Sequence, residues 1–107
     1  MKGKGAGTFV ITHIVFFRMK DTSPEGIAKT REVLLNMKGK VPQLKHIEVG
    51  VNVVSAARAY DIALVTKVET LEDLDAYQVH PVHQVVLAYM KDALREPSVA
   101  VDYISDL

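Results

Sequence analysis

The sequence predicts an α+β domain, a four-stranded antiparallel sheet with its helices on one face, laid out β-α-β-β-α-β. Three observations predict it. Four short segments rich in β-branched and aromatic residues are separated by turn residues. Two intervening segments carry helix-start signals. The first and third of the apolar segments are the most apolar, as central strands are. The chain has 107 residues, which fits one domain.

The first strand is expected over Thr8 to Met19. Phe9, Ile11, Val15 and Phe17 share one parity; Val10, Ile14 and Phe16 share the other. A strand apolar on both sides is covered on both faces. A helix follows. Ser23 suits the N-cap, Pro24 the first helical position and Glu25 the positive end of the dipole. It would carry Ile27, Leu34 and Met37 inward and stop near Gly39, before Pro42.

From Leu44 to Val53 the pattern alternates, with Ile47, Val49 and Val51 on one side and His46, Glu48 and Asn52 on the other. That reads as a half-exposed strand at or near an edge. Tyr60 to Glu69 is the third strand, after a connector at Ser55 to Ala59. Thr70 opens a second helix with Asp73 three residues on, a capping-box-like start. This helix runs to about Val79. Pro81 restarts it in a new direction. Val82, Val85, Val86, Tyr89, Met90, Ala93 and Leu94 then fall at i, i+3, i+4, i+7, i+8, i+11 and i+12, an apolar stripe. Pro97 closes it, and Ser98 to Ile104 is the last strand. The order is that of the ferredoxin-like split βαβ arrangement. Its helices cover one sheet face, so the other apolar side of the first strand needs a second cover. A two-fold homodimer, sheet against sheet, would supply it.

Residues 1–7, basic and glycine-rich, are expected to form a mobile tail ahead of a domain over 8–107. The apolar run after the tail is interrupted by Thr12 and His13, ended by Arg18 and followed by no small-residue cleavage site, so it is read as a strand and not a leader. It is also too short for a membrane span. A cytoplasmic location is the expectation. Formal net charge is zero, which argues against nucleic acid as a partner. The absence of cysteine excludes disulfides, thiolate metal sites and a cysteine nucleophile. There is no Walker sequence, and Gly3, Gly5 and Gly7 precede any strand, so they form no dinucleotide loop.

The chemistry is concentrated in Tyr77-Gln-Val-His80-Pro-Val-His83-Gln84, which holds half of the four histidines. His83 flanks the apolar stripe of the last helix and should face partly into the core. Burial would keep it neutral, and a neutral imidazole can act as a general base. Tyr77 lies close enough to hydrogen-bond His83 or a ligand oxygen. His80 sits at the N-cap, where it could contact a ligand or only satisfy helix amides. His13 shares the parity of Val15 and Phe17, and a histidine there needs a partner. If that parity faces the helices, His13 joins Tyr77 and His83 around a cavity lined by Val15, Phe17, Leu64, Val86 and Leu94. Such a cavity suits a small apolar or aromatic molecule. His80 and His83 could share a metal ion, but the third ligand is missing, so no metal is assigned. Structural packing of the histidines is the competing explanation.

Several stretches together resemble the stress-responsive α/β-barrel (Dabb) family. They are Thr12-His-Ile-Val-Phe-Phe-Arg-Met-Lys20, Val41-Pro-Gln-Leu-Lys45, Glu48-Val-Gly50, Tyr60-Asp-Ile-Ala-Leu64, Leu71-Glu-Asp-Leu-Asp-Ala-Tyr77, His80-Pro-Val-His83 and Val101-Asp-Tyr103. The resemblance implies a dimeric ferredoxin-like α+β barrel. Many members have no assigned activity. One plant member is a polyketide cyclase that works without a cofactor, and there the equivalents of Tyr77 and His83 carry the chemistry, with that of His13 in the same pocket. This chain departs from the cyclase at Ile62 and near Leu34, where the cyclase has a histidine and a tyrosine. The resemblance therefore implies His83 as base and Tyr77 as hydrogen-bond donor on a small carbonyl compound, with no cofactor. A binding protein without chemistry and a structural oligomer remain the alternatives.

Overall fold

The structure, a computed structural model, describes residues 9–106. The expected tail over residues 1–7 lies outside them. The elements are β1 (Phe9–Phe17), α1 (Pro24–Leu35), β2 (His46–Val51), β3 (Ile62–Val68), α2 (Leu71–Val79), α3 (Pro81–Ala93) and β4 (Val99–Asp106). The four strands form one sheet in the order β2-β3-β1-β4, antiparallel throughout. This is the ferredoxin-like α+β fold, with β1 and β3 central and β2 and β4 at the edges.

The odd residues of β1 face the helices. Val15 and Phe17 join Leu64 of β3, Val49 of β2, Leu34 of α1, Tyr77 of α2, and Val86 and Met90 of α3 in the core. The helices begin where side chains satisfy their free amides. The Ser23 hydroxyl accepts from Gly26 N at 3.1 Å, and the Thr70 hydroxyl accepts from Asp73 N at 3.0 Å. Met37 is fully buried, but it lies beyond the end of α1, in turns that reach Gly39 at φ 78°. That left-handed φ suits a glycine after a helix. The hydroxyls of Thr30 and Tyr89 sit 2.9 Å apart and join α1 to α3. Just after β1, Arg18 pairs with Glu96 and its guanidinium lies 4.1 Å over the Tyr60 ring.

The opposite sheet face carries no helix. Register places Phe16 beside Val99 and Ala63, Ile14 beside Val101 and Val65, and Thr12 beside Tyr103. Phe16, Val99, Val101 and Tyr103 are each 39–50% exposed, an apolar patch that the chain alone leaves open. Val85, expected in the inward stripe, is exposed instead. The core reaches only the Val86–Met90 side of α3.

Candidate active site

Between the sheet and α2/α3 lies a cavity of about 350 Å³. His13, Val15 and Phe17 of β1 and Leu64 of β3 form its floor. Tyr77 of α2 and His83, Val86 and Met90 of α3 form its roof, with Leu94 at the end. Eight of the nine residues expected at the site line it. The ninth is His80. Its Nδ1 accepts from Val82 N at 3.1 Å, and the residue both ends α2 and caps α3. Its ring is therefore committed to the helix terminus and does not line the cavity. Among the described residues, no three His, Asp or Glu side chains are grouped as metal ligands would be.

Pro81 makes the geometry of His83. Proline cannot extend α2, so the chain turns at His80 and starts α3 afresh. Position 83 falls in the first turn of the new helix and returns over the end of the old one. His83 Nδ1 lies 3.0 Å from the carbonyl oxygen of Gln78, which also accepts from the Gln84 side chain. A carbonyl only accepts, so the ring donates from Nδ1, and in the neutral form Nε2 carries the lone pair. The ring is buried, which holds its pKa below the ordinary value near 6.5. The bond to Gln78 opposes that shift, and positive charge on His13 or His80 would reinforce it.

Tyr77 packs against His83 with the rings tilted by 54° and their centroids 4.6 Å apart, and it meets the His13 ring edge-on at 6.1 Å. Of the two partners expected for the Tyr77 hydroxyl, His83 or a ligand oxygen, His83 is not bonded to it in this structure. The Tyr77 hydroxyl instead approaches Met37 Sδ at 3.9 Å, a weak acceptor. Tyr77 is fully buried, and burial pushes its pKa up to about 12, offset in small part by the neighbouring Thr66 hydroxyl. That hydroxyl makes no well-formed hydrogen bond. Tyr77 therefore remains a phenol across the physiological range.

His13 has the partner its strand position demands. Its Nδ1–H donates to the carboxylate of Asp102, its register neighbour on β4. Asp102 was not foreseen from the sequence as a partner of this site. The signal was the buried histidine itself, which required an acceptor somewhere. Lys91, Leu87, Gln78, Ser98 and Ala100 complete the lining.

Comparison with known proteins identifies the family of the chain. The stress-responsive A/B barrel domain (Dabb) matches residues 11–105. The chain belongs to this family. It is 31% identical to a stress-response A/B barrel domain-containing protein of Arabidopsis thaliana over 98 residues, which are 91% of this chain and 37% of that protein. The chain thus spans a little over a third of that Dabb relative. A dimeric ferredoxin-like protein of unknown function from Thermobifida fusca superposes with a TM-score of 0.78 at 30% identity, covering 96% of this chain and 97% of that one. A hydroxynitrile lyase from Passiflora edulis has a TM-score of 0.77 at 20% identity, covering 90% and 93% respectively, and so shares the fold. Among the described residues, no helix is long and apolar enough to cross a membrane.

Proposed function

We propose that this Dabb domain binds a small apolar or aromatic carbonyl compound between sheet and helices and acts on it without a cofactor, with His83 as general base. One observation carries the reading. His83 Nδ1 is committed to the Gln78 carbonyl, so the ring of a buried, neutral imidazole has only Nε2 left for the cavity it lines. Nε2 would take a proton from the carbon next to the ligand carbonyl, and the electron pair would move onto the carbonyl oxygen. The Tyr77 O–H, held only by a thioether, would exchange that partner for the stronger oxygen acceptor. His13, fixed by Asp102, would bound the ligand from the floor. The hydroxynitrile lyase from Passiflora edulis supports the reading only in being an enzyme with this fold.

The uncovered face of Phe16, Val99, Val101 and Tyr103 supports a homodimer formed sheet against sheet, and the related bacterial protein is dimeric. Neither nucleic acid nor a membrane is a partner in this reading, which sets the domain over residues 8–107 in the cytoplasm.

The test incubates wild-type protein and His83→Ala with a panel of aromatic and β-keto compounds. Thermal shift reads binding and mass spectrometry reads the product. Conversion by the wild type that is lost in a folded His83→Ala variant is expected. Equal conversion by both proteins would end the base assignment. Hits returned unaltered by the wild type would mean binding without chemistry.

A further inference from the structure

The cavity lining has an unbalanced charge inventory. It holds two histidines and a lysine, and none of its residues is acidic. The carboxylate nearest the floor, Asp102, is taken by His13. Among the described residues Lys91 makes no ion pair. It stands in the last turn of α3, where a cation also complements the helix dipole. What sets it apart is its row. His83, Leu87 and Lys91 lie at i, i+4 and i+8 and all three line the cavity, so one helix stripe runs from the imidazole over an apolar step to the ammonium. The two Cα atoms are about 12 Å apart at the rise of an α-helix. Helical side chains lean toward the N-terminus, which brings the ammonium back over Leu87.

From this spacing we infer that the ligand carries a carboxylate, bound at the cavity mouth by Lys91, with its carbonyl end beside His83 and its apolar body against Leu87, Val86 and Phe17. The inference rests on the carbonyl-binding reading above and names the substrate class within it, an apolar or aromatic oxo acid. Lys91 would select the ligand and take no part in proton transfer, so its effect belongs in binding.

Isothermal titration with two acids that carry an acetyl group and a carboxylate at opposite ends of an aromatic body, 4-acetylbenzoate and 3-(4-acetylphenyl)propionate, each beside its neutral amide, tests this. The wild type should bind the acid of at least one pair about three- to tenfold more tightly than its amide at low salt. That preference should shrink at high ionic strength. Lys91→Gln should abolish it while leaving amide affinity unchanged, and Lys91→Arg should retain it. His83→Ala, which tests the base, should leave the charge preference standing. Equal affinity for acid and amide, or a preference that survives Lys91→Gln, would overturn the assignment while leaving the cavity reading intact. If neither member of either pair binds the wild type, both readings fall.

Discussion

Acidification should destabilise this domain through His83, and a His83→Gln variant should lose that sensitivity. The imidazole is buried between α3 and Tyr77, so its folded pKa lies below the ordinary 6.5 that it regains on unfolding. His13, His80 and Lys91 are the cationic or titratable groups on neighbouring surfaces. His13 and His80, when charged, disfavour a proton on His83. Between 6.5 and the lowered folded value, the unfolded chain holds a proton that the folded chain does not. Stability from this group is therefore intact above about pH 6.5 and is lost as pH falls through the folded pKa. One proton difference gives a slope of at most about 1.4 kcal/mol per pH unit. For a domain of this size that is roughly 5 to 10 °C in Tm per unit at its steepest. The assay is thermal unfolding by circular dichroism at half-unit steps from pH 7.5 to 4.5 for both proteins. Protein concentration is held fixed because oligomers have concentration-dependent Tm values. The wild-type-minus-variant difference cancels groups uncoupled to His83 and leaves His83 together with its coupling to His13 and His80. A flat difference curve, or one that rises on acidification, would refute the claim that His83 is held neutral.

Two further results follow from the geometry. Tyr77→Phe should change stability by under about 1 kcal/mol, because the hydroxyl donates only to a thioether, yet slow any turnover at least about 100-fold; parallel unfolding and rate measurements would expose a merely structural hydroxyl by an unchanged rate. Phe16→Asp on the open sheet face should leave the fold intact and yield monomers in sedimentation velocity, and a variant that remains a dimer would move the interface elsewhere.

The sequence revealed periodic and local features better than long-range ones. Apolar residues of both parities placed β1 at the centre of the sheet, and a period of two left only two facings for its odd residues, which the structure turns toward the helices. Ser23, Thr70 and Pro81 marked helix starts because capping is a short-range matter of one hydroxyl or one ring. The stripe of α3 was read one residue too wide. Val85 has the right spacing but is exposed, and spacing alone does not say which edge of a stripe its neighbours cover. Met37 was correctly inward but was assigned to a helix that ends at Leu35. Eight residues of the cavity lining followed from parity and helical spacing, whereas Gln78, Leu87, Met90, Lys91, Ser98 and Ala100 were not foreseen in it. Three details could not follow from either. Asp102 lies 89 residues from His13 and meets it only through strand register. The Tyr77 hydroxyl turned toward Met37, which lies 40 residues away in the turns after α1. His80 had two open roles until the Val82 amide settled its ring as a cap.

The two walls of the cavity have different origins along the chain. Tyr77 and His83 are six residues apart and are brought together by one elbow. Their floor is a histidine near the start of the chain, braced by an aspartate near its end. A partly folded chain with α2 and α3 formed would have the roof and no pocket. Occupancy of this cavity is therefore a report on the completed fold. A ligand at 100 times its Kd would stabilise that state by about 2.7 kcal/mol, leaving partly folded forms of the chain without that protection.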